Sequence, residues 1–333
     1  MRIAFFEIQD WERPLLEEAF KEHELFFSDQ PLQDSDLSEI KDFEALSVFI
    51  YSRVGKEIID TMPNLRLIAT RSTGYDHIDL VAAKTKGVIV SNVPTYGEHT
   101  VAEHTFALIL ALSRNVHKSH VRRLKNDFSI EGLKGFDLKG KTIGVIGAGK
   151  IGLHVIRIAR GFGMHVLAYD AFQNGFLSDV LDFDYVPLDR LLAESDIISL
   201  HTPYNEKTHH LINEHSIAKI KRGSLLVNTA RGELVDNDAL IQALDQGILA
   251  GAGLDVIEGE QLIKEEKELL SGTKVSSDLS ELVNDHNLLR RDNVVYTPHI
   301  AFYSEEALHR ILRTTIENIT CFTEGACQNT VGN

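Results

Sequence analysis

A chain of 333 residues, 43% hydrophobic and 25% charged, has the makeup of an ordinary globular protein large enough for two domains. Its formal net charge of −15 argues against nucleic acid or an anionic membrane as a general partner. The only two cysteines, Cys321 and Cys327, have no metal-site companions and read as free thiols. With no apolar run able to span a bilayer and no signal peptide at residues 1–6, a cytoplasmic protein is expected.

Strand-like and helical runs alternate from the start. Strands are predicted at 2–6, 47–51, 66–70 and 88–91, and Pro14 suits the first turn of a helix. Residues 100–115 read as a long, mostly apolar helix. A second series of strands follows at 142–146, 165–169, 196–200, 224–228, 251–254 and 293–296, again with helices between them. The last helix, roughly 304–323, has no sheet partner after it, so the chain is expected to return to the first domain. The charged stretch 261–291 is longer than an ordinary connection and predicts a helical insertion or a flap.

The most specific signal opens the second series. The strand ending at Ile146 runs into Gly147-x-Gly149-x-x-Gly152, a helix follows, and the next strand ends in Asp170. Those glycines allow a tight turn, close approach to a pyrophosphate and close helix–strand packing, and the acid can accept from the adenosine ribose hydroxyls. Gly144-x-x-x-x-Gly149-Lys150 also resembles the start of a triphosphate-binding loop. That loop needs Ser or Thr next, and here Ile151 stands there. Asp170 would repel a 2′-phosphate and no arginine follows it directly, so NAD is expected over NADP. The fold class is therefore α/β, with two doubly wound parallel-sheet domains. A Rossmann NAD-binding domain at 100–300 is inserted into a flavodoxin-like substrate domain made of 1–99 and 301–333.

Ligands of open parallel sheets bind beyond the carboxyl ends of the strands. There the sequence places His201 and Thr202, then Thr229, Ala230 and Arg231, then Asp255, then His299, with Glu260 five residues past Asp255. Arg231 has the forked donors to grip a carboxylate and polarise a neighbouring carbonyl. Histidine is the side-chain type suited to exchanging a proton near neutral pH, and Glu260 on the far nitrogen of His299 would stabilise an imidazolium, which suits hydride transfer to a 2-keto acid. Each residue alone has a plainer reading: Arg231 as a cap or a partner of Glu233, His299 as a buried structural histidine, and Glu260 with Glu258 as a rival. Asp255 fits a positioning role. His99 and His104 are not spaced as a zinc pair on a helix, His209 and His210 fit an exposed turn, and no metal is assigned.

These residues sit in recognisable motifs. Arg71-Ser72-Thr73-Gly74-Tyr75-Asp76-His77-Ile78-Asp79, Val101-Ala102-Glu103-His104-Thr105, Asn228-Thr229-Ala230-Arg231-Gly232, Gly253-Leu254-Asp255-Val256 and Thr297-Pro298-His299 resemble the NAD-dependent D-2-hydroxyacid dehydrogenases from about residue 50 to 303. The resemblance implies Arg231, Glu260 and His299 as catalytic residues. It implies cofactor contacts at Lys150, Ile151, Asp170, Thr202, Pro203, Thr208, Thr229, Ala230 and Asp255. It further implies that Ser72, Thr73 and Gly74 offer backbone amides to the substrate carboxylate, and that the protein is a homodimer joined through its NAD-binding domains. Within the family the chain is most similar to the D-lactate dehydrogenases. Tyr51 stands where those enzymes place an aromatic over the small substrate, with Tyr96 and Phe302 as further aromatic neighbours. Ile257, in place of an aromatic common there, and the long charged stretch depart from the pattern. The expected reaction is reversible reduction of pyruvate to D-lactate by NADH, with a hydroxyisocaproate dehydrogenase or a glyoxylate/hydroxypyruvate reductase as sister alternatives. An NAD-sensing corepressor-like protein is the alternative of another class.

Overall fold

A computed structural model describes residues 1–259 and 287–332. The chain divides into two compact units, one made of Met1–Tyr96 and Ser304–Asn333, the other of Gly97–Tyr303.

The first unit holds a six-stranded sheet in the order β13-β5-β4-β3-β1-β2. Its strands are β1 (Arg2–Phe5), β2 (Glu24–Phe27), β3 (Ala45–Val48), β4 (Leu67–Thr70), β5 (Ile89–Ser91) and β13 (Thr330–Val331). All pairings are parallel except that of β13 with β5, which is antiparallel. The order β2-β1-β3-β4-β5 is the flavodoxin-like one. Successive side chains of a strand face opposite sides of the sheet. Accordingly Ile3 and Phe5 pack with Leu312 and Ile319 of the helix Glu305–Thr323, whereas Ala4 and Phe6 pack with Ile59 and Met62 on the other side. Strands covered on both faces become continuous apolar runs, which is why β3 and β4 are buried at every position. The last helix starts at the N-cap Ser304, whose side chain accepts from Ala307 N–H.

The second unit holds seven parallel strands in the order β12-β11-β10-β9-β6-β7-β8. They are β6 (Thr142–Ile146), β7 (His165–Tyr169), β8 (Asp184–Tyr185), β9 (Ile197–Leu200), β10 (Ser224–Asn228), β11 (Leu249–Leu254) and β12 (Val294–Tyr296). This is the Rossmann order with one strand added at the β12 edge. Both faces are covered. Ile143 and Val145 of β6 pack with Val155, Ile156 and Ala159 of the helix Lys150–Gly161 and with the helix Glu98–Ser113, while Ile146 faces the opposite core.

Three strands escape sequence reading. β2 is a short edge strand without full burial, β8 has two residues, and β13 pairs with a strand far upstream. The strand predicted at 47–51 lies at Ala45–Val48, because the two alanine and serine positions that flank Leu46 are buried like apolar ones. Most of the charged stretch 261–291 lies outside the described residues.

Candidate active site

Between β6 and the helix Lys150–Gly161 the chain makes the turn that the glycine spacing requires. Gly147 has φ 97°, and a Cβ there would stand 2.7 Å from the backbone of His201. A Cβ on Gly152 would stand 1.9 Å from the carbonyl oxygen of Gly147. Gly149 differs, since apart from its own chain neighbours no protein atom lies within 4 Å of the position its Cβ would take. The protein's own packing does not demand glycine there, but a pyrophosphate seated on the helix N-terminus does. Asp170 follows β7 directly. One of its oxygens accepts from Ala148 N–H at 2.7 Å and the other from Phe172 N–H at 2.8 Å. The carboxylate thus fixes the glycine turn and keeps lone pairs for ribose hydroxyls. Lys150 and Ile151 form the first residues of the helix. This arrangement fits a dinucleotide.

At the end of β9, His201 N–H donates to the carbonyl of Ile146 at 2.7 Å, tying the two strand ends together. Its ring Nε2 lies 2.7 Å from Ser199 Oγ, and its buried Nδ1 has no hydrogen-bond partner among the described residues. Burial pushes its pKa down to about 3, favouring the neutral imidazole. Thr202 and Pro203 come next. The Thr208 hydroxyl closes their turn, donating to the carbonyl of Pro203 at 2.8 Å and accepting from Asn205 N–H at 2.8 Å.

Past β10, Asn228 shapes the turn that presents the arginine. Its side chain accepts from Ala230 N–H at 3.0 Å and donates to the carbonyl of Arg231 at 2.8 Å. The buried Thr229 shares a 2.9 Å hydrogen bond with Thr105. Arg231 has an extended backbone at the start of the turn Gly232–Leu234.

Asp255, after β11, is fully buried and holds the segment after β12. Its carboxylate accepts from Thr297 Oγ1 at 2.5 Å, Ile300 N–H at 3.0 Å and Ala301 N–H at 2.9 Å. His104 Nε2 lies 3.4 Å from the same carboxylate and 2.9 Å from Thr297 Oγ1. Burial raises the Asp255 pKa, but the hydrogen bonds from His104, Thr297, Ala301 and Ile300 outweigh it and hold the group below the usual carboxylate range. His299 sits inside this grip. Its N–H donates to the carbonyl of Asp255 at 2.7 Å, and its φ is 54°, a left-handed conformation uncommon for a residue with a side chain. The Phe302 ring stands edge-on to the imidazole, centroids 6.4 Å apart.

Asp255 thus supports the histidine loop, a more specific role than the positioning or cofactor contact expected from the sequence. His104, set aside in the sequence as a histidine without a zinc partner, belongs to this network. Of the two rival glutamates, Glu258 is engaged by His210 Nε2 at 2.9 Å. Glu260 lies outside the described residues.

In the first unit the expected substrate residues lie past the carboxyl ends of β3, β4 and β5. Glu7, with φ 56°, aims its carboxylate at the turn after β3 and accepts from the N–H groups of Phe49 (2.9 Å), Tyr51 (2.8 Å) and Ser52 (3.1 Å) and from the Ser52 hydroxyl (2.5 Å). Tyr51 is held by its backbone N–H and is 47% exposed as a residue. Arg71 is buried below, donating to the carbonyls of Phe6 and Glu7 at 2.6 and 2.9 Å. Ser72, Thr73 and Gly74 form a loop pinned by Ser72 Oγ to the carbonyl of Gly74 at 2.6 Å and by Thr73 Oγ1 to that of Val93 at 2.8 Å. The carbonyl of Tyr96 accepts from Arg310 at 2.6 Å. Glu7 was not singled out in the sequence, where a lone glutamate after a strand carries no signal.

A parallel sheet in Rossmann order, with a glycine turn, an acid directly after β7 and an arginine and a histidine at its strand ends, defines a dinucleotide-dependent oxidoreductase. Comparison with known proteins narrows the class. The family described as D-isomer specific 2-hydroxyacid dehydrogenase, NAD binding domain, matches residues 106–301. A 2-hydroxyacid dehydrogenase homolog of Haemophilus influenzae is 37% identical over 99% of both chains, and the D-lactate dehydrogenase of Escherichia coli is 35% identical, again over 99% of both. Among solved structures, D-lactate dehydrogenase from Aquifex aeolicus, complexed with NAD and lactic acid, has a TM-score of 0.87 at 39% identity and covers 97% of this chain and 96% of its own. The chain belongs to the D-2-hydroxyacid dehydrogenase family and is an NAD-dependent oxidoreductase.

Proposed function

We propose that the protein is a D-lactate dehydrogenase, catalysing pyruvate + NADH + H⁺ ⇌ D-lactate + NAD⁺. The observation that carries this is the His299 loop, with a histidine fixed in a left-handed turn by Asp255 and faced by the ring of Phe302. NADH, when bound, supplies the hydride. Arg231 takes the substrate carboxylate with its forked donors and polarises the carbonyl. His299, as imidazolium, gives its proton to the carbonyl oxygen as charge develops there, and in the oxidative direction takes it back. Glu260 is assigned to the far nitrogen of that imidazole, where it stabilises the charged form. Glu258 is already committed to His210. Asp170 reads the ribose, and Gly147, Gly149, Lys150, Ile151, Gly152, Thr202, Pro203, Thr208, Thr229, Ala230 and Asp255 complete the cofactor set. Tyr51, Ser72, Thr73, Gly74, Tyr96 and Phe302 are assigned to the substrate, whose only group beyond the carbonyl is a methyl suited to aromatic walls.

On this reading the unit Gly97–Tyr303 binds NAD and the unit of Met1–Tyr96 and Ser304–Asn333 serves the substrate. The protein is a cytoplasmic homodimer joined through its NAD-binding units. In support of the location, Cys321 and Cys327 are free thiols, and no helix among the described residues is long and apolar enough to cross a membrane. Light scattering on a size-exclusion column tests the dimer.

Steady-state rates with NADH on pyruvate, glyoxylate, hydroxypyruvate and 4-methyl-2-oxopentanoate test the substrate, together with the chirality of the product. Pyruvate is expected to show the highest kcat/KM and to yield D-lactate. A pocket separates neighbours in such a series by about 1–3 kcal/mol per methylene, or roughly 10–200-fold. An equal or better kcat/KM on the branched six-carbon acid overturns the lactate assignment. NADH binding without turnover of any keto acid overturns the enzyme in favour of a corepressor-like role.

A further inference from the structure

We propose that His209, His210 and Glu258 form a binding site for one first-row divalent cation, best matched by Zn²⁺, at the carboxyl ends of β9 and β11. Each residue offers one donor atom, and these atoms lie within 4.8 Å of one another, the one such group of three among the described residues.

Backbone geometry makes the cluster. Successive side chains of an extended chain point to opposite sides, so neighbouring histidines ordinarily cannot share an ion. Here His210 has φ 46°, in the left-handed region, and its ring turns back alongside that of His209. The two rings stack with centroids 3.9 Å apart and planes 21° from parallel. A residue with a Cβ in that region persists only where its surroundings fix it, and the surroundings do. His210 N–H donates to the carbonyl of Glu233 at 2.9 Å, and the carbonyl of His210 accepts from Asn213 Nδ2 at 2.8 Å. Glu258 is anchored by Asn237 Nδ2, which donates to its carbonyl at 3.2 Å. Its carboxylate oxygens lie 2.9 and 3.0 Å from His210 Nε2. The backbone bonds of His210 and Glu258 remain when an ion arrives, whereas the His210 Nε2–Glu258 hydrogen bond gives way, the ion replacing its proton.

Two imidazole nitrogens and one carboxylate oxygen suit zinc and its first-row neighbours, whereas calcium and magnesium prefer oxygen alone. Three protein ligands leave the fourth tetrahedral position to water. His209 is exposed, so the ion can enter from solvent, while His210 and Glu258 are half-buried. His209 directly follows Thr208 of the proposed cofactor set, and no catalytic step is given to the ion. Its effect is to cross-link the segment after β9 to the segment after β11.

The test uses the full chain, stripped with chelator and dialysed. Calorimetric titration with ZnCl₂ is expected to show one equivalent bound, and Co²⁺ to give the visible absorption of a tetrahedral ion. His209→Ala, at an exposed position, and Glu258→Gln, which keeps the shape of the side chain, should each weaken binding by at least about tenfold. His209→Ala should turn over substrate like the parent when chelator is present. No saturable binding, or equal binding by both variants, overturns the site. A cobalt–thiolate charge-transfer band also overturns it, because it places the ion on Cys321 or Cys327. Because binding is measured without turnover, this outcome is independent of the substrate assignment.

Discussion

Replacing Asp255 with asparagine tests how His299 is held. The buried carboxylate accepts from Thr297, Ile300 and Ala301 and faces His104. Asparagine keeps one oxygen for the Thr297 and Ile300 donors but sets an NH₂ opposite Ala301 N–H. Leaving that buried donor unpaired costs about 1–3 kcal/mol, and the two surviving bonds, no longer charge-assisted, each weaken by about 1 kcal/mol. The sum is about 3–5 kcal/mol. It falls on the segment that keeps His299 left-handed, so the histidine backbone should relax and kcat should drop at least tenfold. Urea unfolding followed by far-UV circular dichroism, together with kcat at saturating pyruvate, measures both effects. The pH dependence has a definite sign. The folded pKa of Asp255 is depressed, so its contribution is complete above the unfolded carboxylate value of about 3.9 and is lost as pH falls through the lower folded value. The gap between parent and variant should therefore stay constant from about pH 5 to 8 and shrink only at stronger acid. A variant with unchanged midpoint and kcat within twofold of the parent would refute the reasoning.

Two of the three roles of the glycine turn separate by substitution. Gly152→Ala puts a Cβ 1.9 Å from a carbonyl oxygen and should lower the melting temperature sharply, whereas Gly149→Ala meets no protein atom and should fold normally but bind NADH at least tenfold more weakly, as read by calorimetry and fluorescence titration. Asp170→Ala should relax the preference for NAD over NADP and also raise the KM for NADH, since Ala148 N–H loses its acceptor; unchanged selectivity in paired cofactor assays would mean that the ribose is read elsewhere. Glu7→Gln weakens a carboxylate that holds three backbone amides and a hydroxyl of the turn bearing Tyr51. Keto acid KM should rise about tenfold with a smaller change in kcat, a split that a purely structural glutamate would not give.

Local signals carried most of the architecture. The glycine turn, the acid ending β7 and the polar residues ending β9, β10, β11 and β12 each lie within a few residues of a strand, so one segment at a time reveals them. What stayed hidden depends on contacts across the chain. The hydrogen bond from His104 to Thr297 joins residues 193 apart, and that from Tyr51 to Glu7 joins residues 44 apart. A histidine or glutamate at either end looks ordinary alone. The left-handed backbones of Glu7, His210 and His299 were equally invisible, since none is the glycine or asparagine that announces such a turn. Edge strands β2, β8 and β13 are too short for period-two patterning to register.

The first unit closes only with the end of the chain. Its strand β1 shares a core with Leu312 and Ile319, and β5 pairs with Thr330 and Val331 of the edge strand β13. During synthesis the unit Gly97–Tyr303 emerges whole while its host still lacks a helix and an edge. Domains fold as units as they emerge, and the entropy of joining distant segments grows with the length of free chain between them. Early folding of the inserted unit would replace some two hundred flexible residues with a body whose ends are fixed, and so shorten the search that β1 and the last helix must make. The host is first in the sequence and last to be completed, so mutations in the inserted unit should depress the yield of the whole protein, beyond their effect on its own stability.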